Sequence, residues 1–161
     1  MNWVVGGMVP VSEPFSNIIS NQLKGLGFKK KNRNWYFEND EVILVANLQK
    51  SSYGSQYYLN GGVYLRELGN EIFPKEYRCH IRFRLTSLLS GEEVERADIV
   101  FNLEDRGVSQ QQREEAVVDF MKSVFVPELQ RYSTKDQIIS SLRKGSTKRY
   151  FVHRDVVGFL G

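Results

Sequence analysis

The stretch Ala46-Asn47-Leu48-Gln49-Lys50-Ser51-Ser52-Tyr53-Gly54, with the segment 56–66 directly after it, decides the fold. The apolar run 42–46 enters this polar, hydroxyl-rich turn, and the chain then returns through a segment with the composition of a strand. Because the run 42–46 is apolar at every position, it is typical of a central strand that is covered on both faces. The sequence therefore predicts two antiparallel strands, at 41–49 and 56–66, in the middle of a sheet.

The segment 77–85 carries the clearest alternation in the chain. Its odd-numbered positions are apolar and its even-numbered positions are basic: Cys79, Ile81, Phe83 and Leu85 against Arg78, His80, Arg82 and Arg84. Side chains two residues apart in a strand point to the same face and lie about 7 Å from each other. This pattern predicts a strand with one apolar side and one cationic side.

The other predicted elements surround these strands. Ser12, Glu13 and Pro14 favour the start of a helix, which the apolar spacing extends over 13–26. A strand is predicted at 34–38, the run 99–103 indicates a fifth short strand, and the paired Gly61 and Gly62 indicate a bulge or a close backbone approach. Further helices are predicted at 109–125, 134–144 and 150–160.

Together these elements predict one α+β domain over residues 1–161. It would contain an N-terminal helix, a four- to five-stranded antiparallel meander and C-terminal helices that pack on one face of the sheet. A chain of 161 residues, 41% of them hydrophobic and 25% charged, is long enough to bury such a core. Residues 1–11 would form an irregular arm or an edge strand.

The composition argues against several functional classes. The net charge of +3 permits an anionic partner without requiring one. Cys79 is the only cysteine and the chain has two histidines, which argues against a disulfide framework, a structural metal site or a bound cofactor. No apolar run approaches the roughly 20 residues that span a bilayer, and the start of the chain lacks the basic region of a signal peptide. We therefore expect a cytoplasmic protein that does not bind membranes.

Eight residues form the predicted binding surface. Arginine suits bidentate capture of a carboxylate or a phosphate, and the turn after the central strand adds an amide, an ammonium group and hydroxyls. The eight residues are Gln49, Lys50, Ser51, Tyr64, Arg78, His80, Arg82 and Arg84. In the other interpretation this is a solvated sheet face, whose arginines pair with Glu38, Glu41, Glu67 or the acidic segment 92–98, and an ordinary turn.

Catalysis has little support in the sequence. The chain has no Gly-x-Ser-x-Gly elbow and no phosphate-binding glycine motif, and Cys79 falls on the apolar side of its strand. No catalytic residue is therefore predicted, and a non-catalytic protein is favoured. An anion-handling or phosphoester enzyme would depend on His80 in a concave pocket with a carboxylate nearby.

Nucleic-acid binding is the other alternative. Basic clusters lie at 24–33, 78–84 and 143–154. If they met on one face with Trp35, Tyr36 or Tyr64, they could neutralise and stack a single strand.

Five motifs in chain order resemble those of a known family. They are Leu26-Gly27-Phe28-Lys29-Lys30, Trp35-Tyr36, Leu48-Gln49-Lys50-Ser51, Leu59-Asn60-Gly61-Gly62-Val63-Tyr64 and Cys79-His80-Ile81-Arg82-Phe83-Arg84-Leu85. Over about residues 13–86, this order is similar to that of the bacterial domain of unknown function 4304 family. The resemblance implies an α+β fold, no established reaction and, by analogy with some members, an immunity or defence role. The leading hypothesis is a non-catalytic interaction module that holds an acidic or phosphate-bearing partner, with an acidic protein favoured.

Overall fold

The computed structural model describes residues 13–147 and 149–161. The predicted arm at 1–11 and the predicted cap Ser12 lie outside these residues. The first helix, α1, spans Phe15–Leu23. The carboxylate of Glu13 accepts a hydrogen bond from the backbone N–H of Ser16 at 2.5 Å, so an acidic side chain satisfies a free donor of the first turn. The helix ends three residues before the predicted Leu26.

Six antiparallel strands form one sheet, and their order in the sheet is their order in the chain. The predicted meander is therefore confirmed, with six strands in place of four or five. The unexpected strands are the two edges, which are only three and two residues long. The strands are β1 Lys29–Lys31, β2 Asn34–Glu38, β3 Val42–Lys50, β4 Tyr57–Leu65, β5 Ile81–Arg84 and β6 Phe151–Val152.

Helices fill most of the chain after the fifth strand. They are α2 Glu92–Val100, α3 Gln110–Phe120, a π-helical segment Met121–Phe125, α4 Val126–Gln130, α5 Lys135–Arg143 and α6 Arg154–Val157. The prediction of a strand at 99–103 is wrong, because three glutamates in the first turn of α2 favour a helix N-terminus there. The predicted helix 150–160 is also wrong in its first residues, which form β6.

The sheet has a different cover on each face. On the first, the helix face, strand residues such as Leu44, Val63 and Phe83 pack against side chains of α1, α3 and the π-helical segment. The second, the outer face, carries a smaller buried cluster of Tyr36, Ile43, Val45, Tyr64 and Cys79. Within the described residues, this cluster contains no residue of an α-helix, and the segment 66–80 covers it. The prediction that 42–46 is buried on both sides is confirmed.

The paired glycines of β4 allow close contacts. Their register with β3 continues without interruption, since Ala46 lies opposite Gly61 and Val45 opposite Gly62. A Cβ atom on Gly61 would lie 2.4 Å from the ring of Phe83, and one on Gly62 would lie 2.7 Å from Cys79 Sγ. Of the two predicted roles, a close approach is therefore correct, not a bulge.

The helices of the described residues are too short or too polar to cross a membrane. Over 13–147 and 149–161, no helix combines the length and the apolar composition that a membrane crossing requires.

Candidate interaction surface

A row of polar side chains crosses the outer face at one level. Asn34, Asn47, Asn60 and Arg84 are registered partners on β2, β3, β4 and β5, and Lys31 of β1 lies opposite Asn34. Asn47 Nδ2 donates to Asn34 Oδ1 at 2.8 Å, and Asn60 Nδ2 donates to Asn47 Oδ1 at 3.0 Å. We call Asn34, Asn47, Asn60 and Arg84 the polar ladder.

Gln49 joins the ladder near Arg84. Its Oε1 accepts from Asn60 Nδ2 at 2.9 Å and from Arg84 Nη2 at 3.1 Å, while Arg84 Nε donates to Asn60 Oδ1 at 3.0 Å. The Arg84 guanidinium also lies 4.1 Å from the centre of the Tyr58 ring. Among the described residues, no carboxylate forms a salt bridge with Arg84. Its charge is therefore held in place by neutral groups and is not neutralised.

The other predicted arginines have acidic partners. Arg78 belongs to a 3₁₀ turn before β5, and its Nε lies 3.1 Å from Glu71 Oε2. Arg82 Nε lies 3.1 Å from Glu76 Oε2. The prediction of one strand over 77–85 is therefore wrong at its start, because β5 begins at Ile81. The two pairs reduce the positive charge expected for this region. Their acids, Glu71 and Glu76, are not among the predicted partners at 38, 41, 67 and 92–98.

His80, the last residue of the covering segment, and Tyr64 of β4 are both buried. The backbone N–H of Leu65 donates to His80 Nδ1 at 2.9 Å, and the ring centres of His80 and Tyr64 are 4.6 Å apart. Burial, followed by the neighbouring His153, lowers the pKa of His80. Since Nδ1 is occupied as an acceptor, this imidazole is neutral and its proton lies on Nε2. Its contacts give His80 a structural role and place neither ring on the exposed surface.

Lys50 and Ser51 form hydrogen bonds within the turn between β3 and β4. Lys50 Nζ donates to the carbonyl oxygen of Gly54 at 2.8 Å, and Ser51 Oγ accepts from the backbone N–H of Tyr53 at 3.1 Å. By strand alternation Lys50 belongs to the helix face. Of the eight predicted residues, the structure therefore brings Gln49, Arg82 and Arg84 together on the outer face.

Sequence reasoning missed three exposed apolar side chains. Ile72 is 71% exposed and Phe73 is 51% exposed, both in the covering segment, and Phe151 of β6 is 49% exposed. The Phe73 ring lies 5.3 Å from the Tyr36 ring and 4.0 Å from Lys31 Nζ. The signal was the apolar pair Ile72-Phe73 within an otherwise polar loop. We define the outer surface as the polar ladder with Lys31, Gln49, Tyr58, Ile72, Phe73, Arg82 and Phe151.

Two kinds of reactive group could mark a reaction centre on this surface: a cluster of metal-ligating side chains and the thiol of Cys79. Over residues 13–147 and 149–161, no group of three or more His, Cys, Asp and Glu side chains could hold a metal ion. The Cys79 thiol is 2% exposed, and its burial raises its pKa. A thiol of this kind is a weak nucleophile at neutral pH.

The fold and the outer surface define an α+β protein built on an antiparallel meander. Helices pack on one face, and the other face carries the polar ladder beside a small buried cluster. The chain belongs to the family described as Domain of unknown function (DUF4304), whose model matches residues 19–131. The matched span contains the whole polar ladder and the helices α2 to α4. Neither a curated protein nor a solved structure matches the chain.

Proposed function

We propose that this protein is a non-catalytic interaction module whose outer surface binds an acidic segment of a partner protein. The observation that supports this most is the exposed ring of Phe73 against the cation Lys31, at one end of a row of polar side chains whose other end is the cation Arg84. Exposed apolar side chains next to charged groups are typical of protein-binding surfaces, where they supply affinity and the charges supply orientation.

The polar ladder would prepare Arg84 for a carboxylate. Two of its three guanidinium nitrogens donate to Asn60 and Gln49, which fixes the side chain before a partner arrives. A fixed side chain loses less conformational entropy on binding than a mobile one. The third nitrogen, Nη1, then remains to form a charge-assisted hydrogen bond with the partner.

The aromatic rings favour a protein over a nucleic acid. A base needs an open ring face on which to stack. A cation already lies over one face of Phe73, Tyr58 and Phe151, at 4.0, 4.1 and 5.4 Å respectively, which leaves less ring surface for a base. Nucleic-acid binding is the alternative, and the oligonucleotide titration below tests it. The biological setting we propose is a bacterial cytoplasm and an immunity or defence role. The bacterial source and the defence role rest on the family resemblance, and the cytoplasmic location rests on the composition of the sequence.

Peptide selection tests the proposal without a known partner. Phage-displayed peptides would be selected on the wild-type protein, and the winning peptides titrated against it by fluorescence anisotropy. We expect a consensus with Asp or Glu near an aromatic or aliphatic residue. Phe73→Ser and Arg84→Gln should each weaken binding by about tenfold or more, as expected for an anchor side chain or a charged hydrogen bond.

A matched control is Lys122→Gln, which removes an exposed charge from the helix side of the protein and should leave peptide affinity unchanged. A deoxythymidine oligonucleotide would be titrated in parallel at two salt concentrations. Tight oligonucleotide binding that weakens log-linearly with salt and depends on Lys31 would overturn the protein-binding proposal. So would selected peptides that lack acidic residues or that bind Arg84→Gln normally.

A further inference from the structure

A second polar site lies on the helix side of the sheet, away from the outer surface. It is a cavity of about 450 Å³ between the 3₁₀ turn Leu85–Leu88, the π-helical segment, α4 and the chain after α5. Pockets for small ligands have volumes of roughly 300–1,000 Å³. The polar side chains in its wall include Ser87, Ser123, Glu128, Arg131, Ser146 and Arg149.

Glu128 is the fixed acceptor of this cavity. Its side chain is 12% exposed, and its Oε2 accepts hydrogen bonds from the hydroxyl of Tyr132 at 2.8 Å and from the hydroxyl of Tyr150. Burial, followed by the bond to Glu128, raises the pKa of both phenols. Both tyrosines therefore keep their protons and hold the carboxylate in one orientation.

Two guanidinium groups give the described wall of the cavity a net positive charge. Arg131 Nη2 lies 3.4 Å from Glu128 Oε1, and Arg149 donates from Nη1 to the carbonyl oxygen of Leu89 at 3.4 Å. Among the lining residues that the structure describes, two positive charges against one carboxylate leave a net charge of +1. Guanidinium groups beside serine hydroxyls are suited to phosphate oxygens.

The backbone around the cavity is unusual at two points. The wall residues Ser123 and Val124 belong to the π-helical segment Met121–Phe125, and such segments occur frequently at functional sites. After α5, Gly145 has a φ of 72°, a left-handed conformation that suits glycine, and it turns the chain so that Ser146 also lines the cavity.

We propose that this cavity binds a small organic phosphate that also carries hydroxyl groups. The phosphate would lie against Arg131, Arg149 and the serine hydroxyls. A ligand hydroxyl would donate to Glu128, whose orientation is already set by the two tyrosines. This site is independent of the outer surface, so either proposal can fail without the other.

Isothermal titration calorimetry tests the site with four probes: ribose 5-phosphate, glycerol 3-phosphate, ribose and inorganic phosphate. We expect the two organic phosphates to bind, ribose not to bind, and inorganic phosphate to bind more weakly. Arg149→Gln removes an exposed charge and should weaken ribose 5-phosphate binding by about tenfold or more. The matched control Arg143→Gln removes an exposed charge of α5 outside the cavity and should change the affinity by less than about twofold, since charges at the surface are screened.

Glu128→Gln would test the role of the carboxylate, with folding checked by circular dichroism. It should reduce the difference in affinity between ribose 5-phosphate and inorganic phosphate. If Glu128→Gln does not fold, the Arg149→Gln and Arg143→Gln pair still decides the question. Absence of binding by either organic phosphate at millimolar concentration would overturn the proposal, as would an equal loss of affinity in Arg149→Gln and Arg143→Gln.

Discussion

Asn60 and Arg84 lie opposite each other on β4 and β5, and the guanidinium Nε of Arg84 donates to Asn60 Oδ1 at 3.0 Å. The same asparagine donates from Nδ2 to both Asn47 and Gln49. It is 4% exposed, so these bonds form with little competition from water. Asn60 therefore connects the neutral part of the polar ladder to its cation.

Replacement of Asn60 by alanine should destabilise the protein. The change leaves donor and acceptor groups of the ladder without partners, and we expect the free energy of unfolding to fall by about 1–3 kcal/mol. Urea denaturation measures this value. The control Asn21→Ala changes an exposed residue of α1 and should alter stability by less than about 0.5 kcal/mol. A loss that small in Asn60→Ala would contradict the role of the ladder.

Gly61→Ala should also destabilise the protein, because its new methyl group would meet the Phe83 ring at about 2.4 Å. Overpacking of this kind costs about 1–3 kcal/mol. The control Gly158→Ala places a methyl group in open space at a helical φ of −57° and should be neutral or slightly stabilising. The smaller side chain of Phe83→Leu should partly rescue Gly61→Ala in the double variant. Equal stabilities for Gly61→Ala and Gly158→Ala would show that the close approach is unimportant.

Stability should fall as the pH is lowered because His80 is buried. Its pKa in the folded protein is below the ordinary value of about 6.5, so between these two values the unfolded chain binds more protons than the folded one. The contribution of His80 is therefore complete above about pH 6.5 and is lost as the pH falls toward the folded-state pKa. Chemical denaturation between pH 7 and 5 should show this decline.

Two variants separate His80 from other groups. His80→Asn keeps an oxygen acceptor for the Leu65 N–H and should flatten the decline. His153→Asn removes the neighbouring imidazole and should move the NMR-measured pKa of His80 upward, since His153 lowers it while Asp155 and Glu71 raise it. An NMR pKa for His80 at or above 6.5 in the wild-type protein would contradict this explanation.

Arg113→Lys should destabilise the end of α2. Arg113 is 4% exposed and donates to the backbone carbonyls of Val100, Asn102 and Asp105. Lysine has a single nitrogen and cannot reach all three, so we expect a loss of about 1–3 kcal/mol in thermal or urea unfolding. Arg106→Lys, an exposed change close by, should have almost no effect. If both variants unfold alike, the buried guanidinium does not stabilise this region.

The sequence predicted the centre of the sheet better than its edges. The bounds of β2 and β4 differ little from those expected, because alternation and turn residues mark them clearly. β1 consists of three lysines and β6 of two residues, so neither carries a readable period. At 99–101 the run Ile-Val-Phe has strand propensity, but the acidic first turn of α2 and its packing against α3 determine a helix that continues to Val100.

The candidate surface was only partly predictable for a related reason. Alternation placed Gln49, Arg82 and Arg84 correctly relative to their own strands. Which groups they meet depends on the register between strands, and Asn60 is 24 residues from Arg84 in the chain. The pairing of Arg82 with Glu76 likewise depends on how the segment 66–80 folds over the sheet. No local pattern encodes these contacts.

The most direct test of the outer surface is an NMR titration of the isotope-labelled protein with an acidic peptide from the selection. We expect the largest shifts at the side-chain amides of Asn47 and Asn60, at Arg84 Nε and at the backbone of Phe73. Shifts confined to α3, α4 and α5, with these four groups unchanged, would contradict the proposal that the outer surface binds a partner protein.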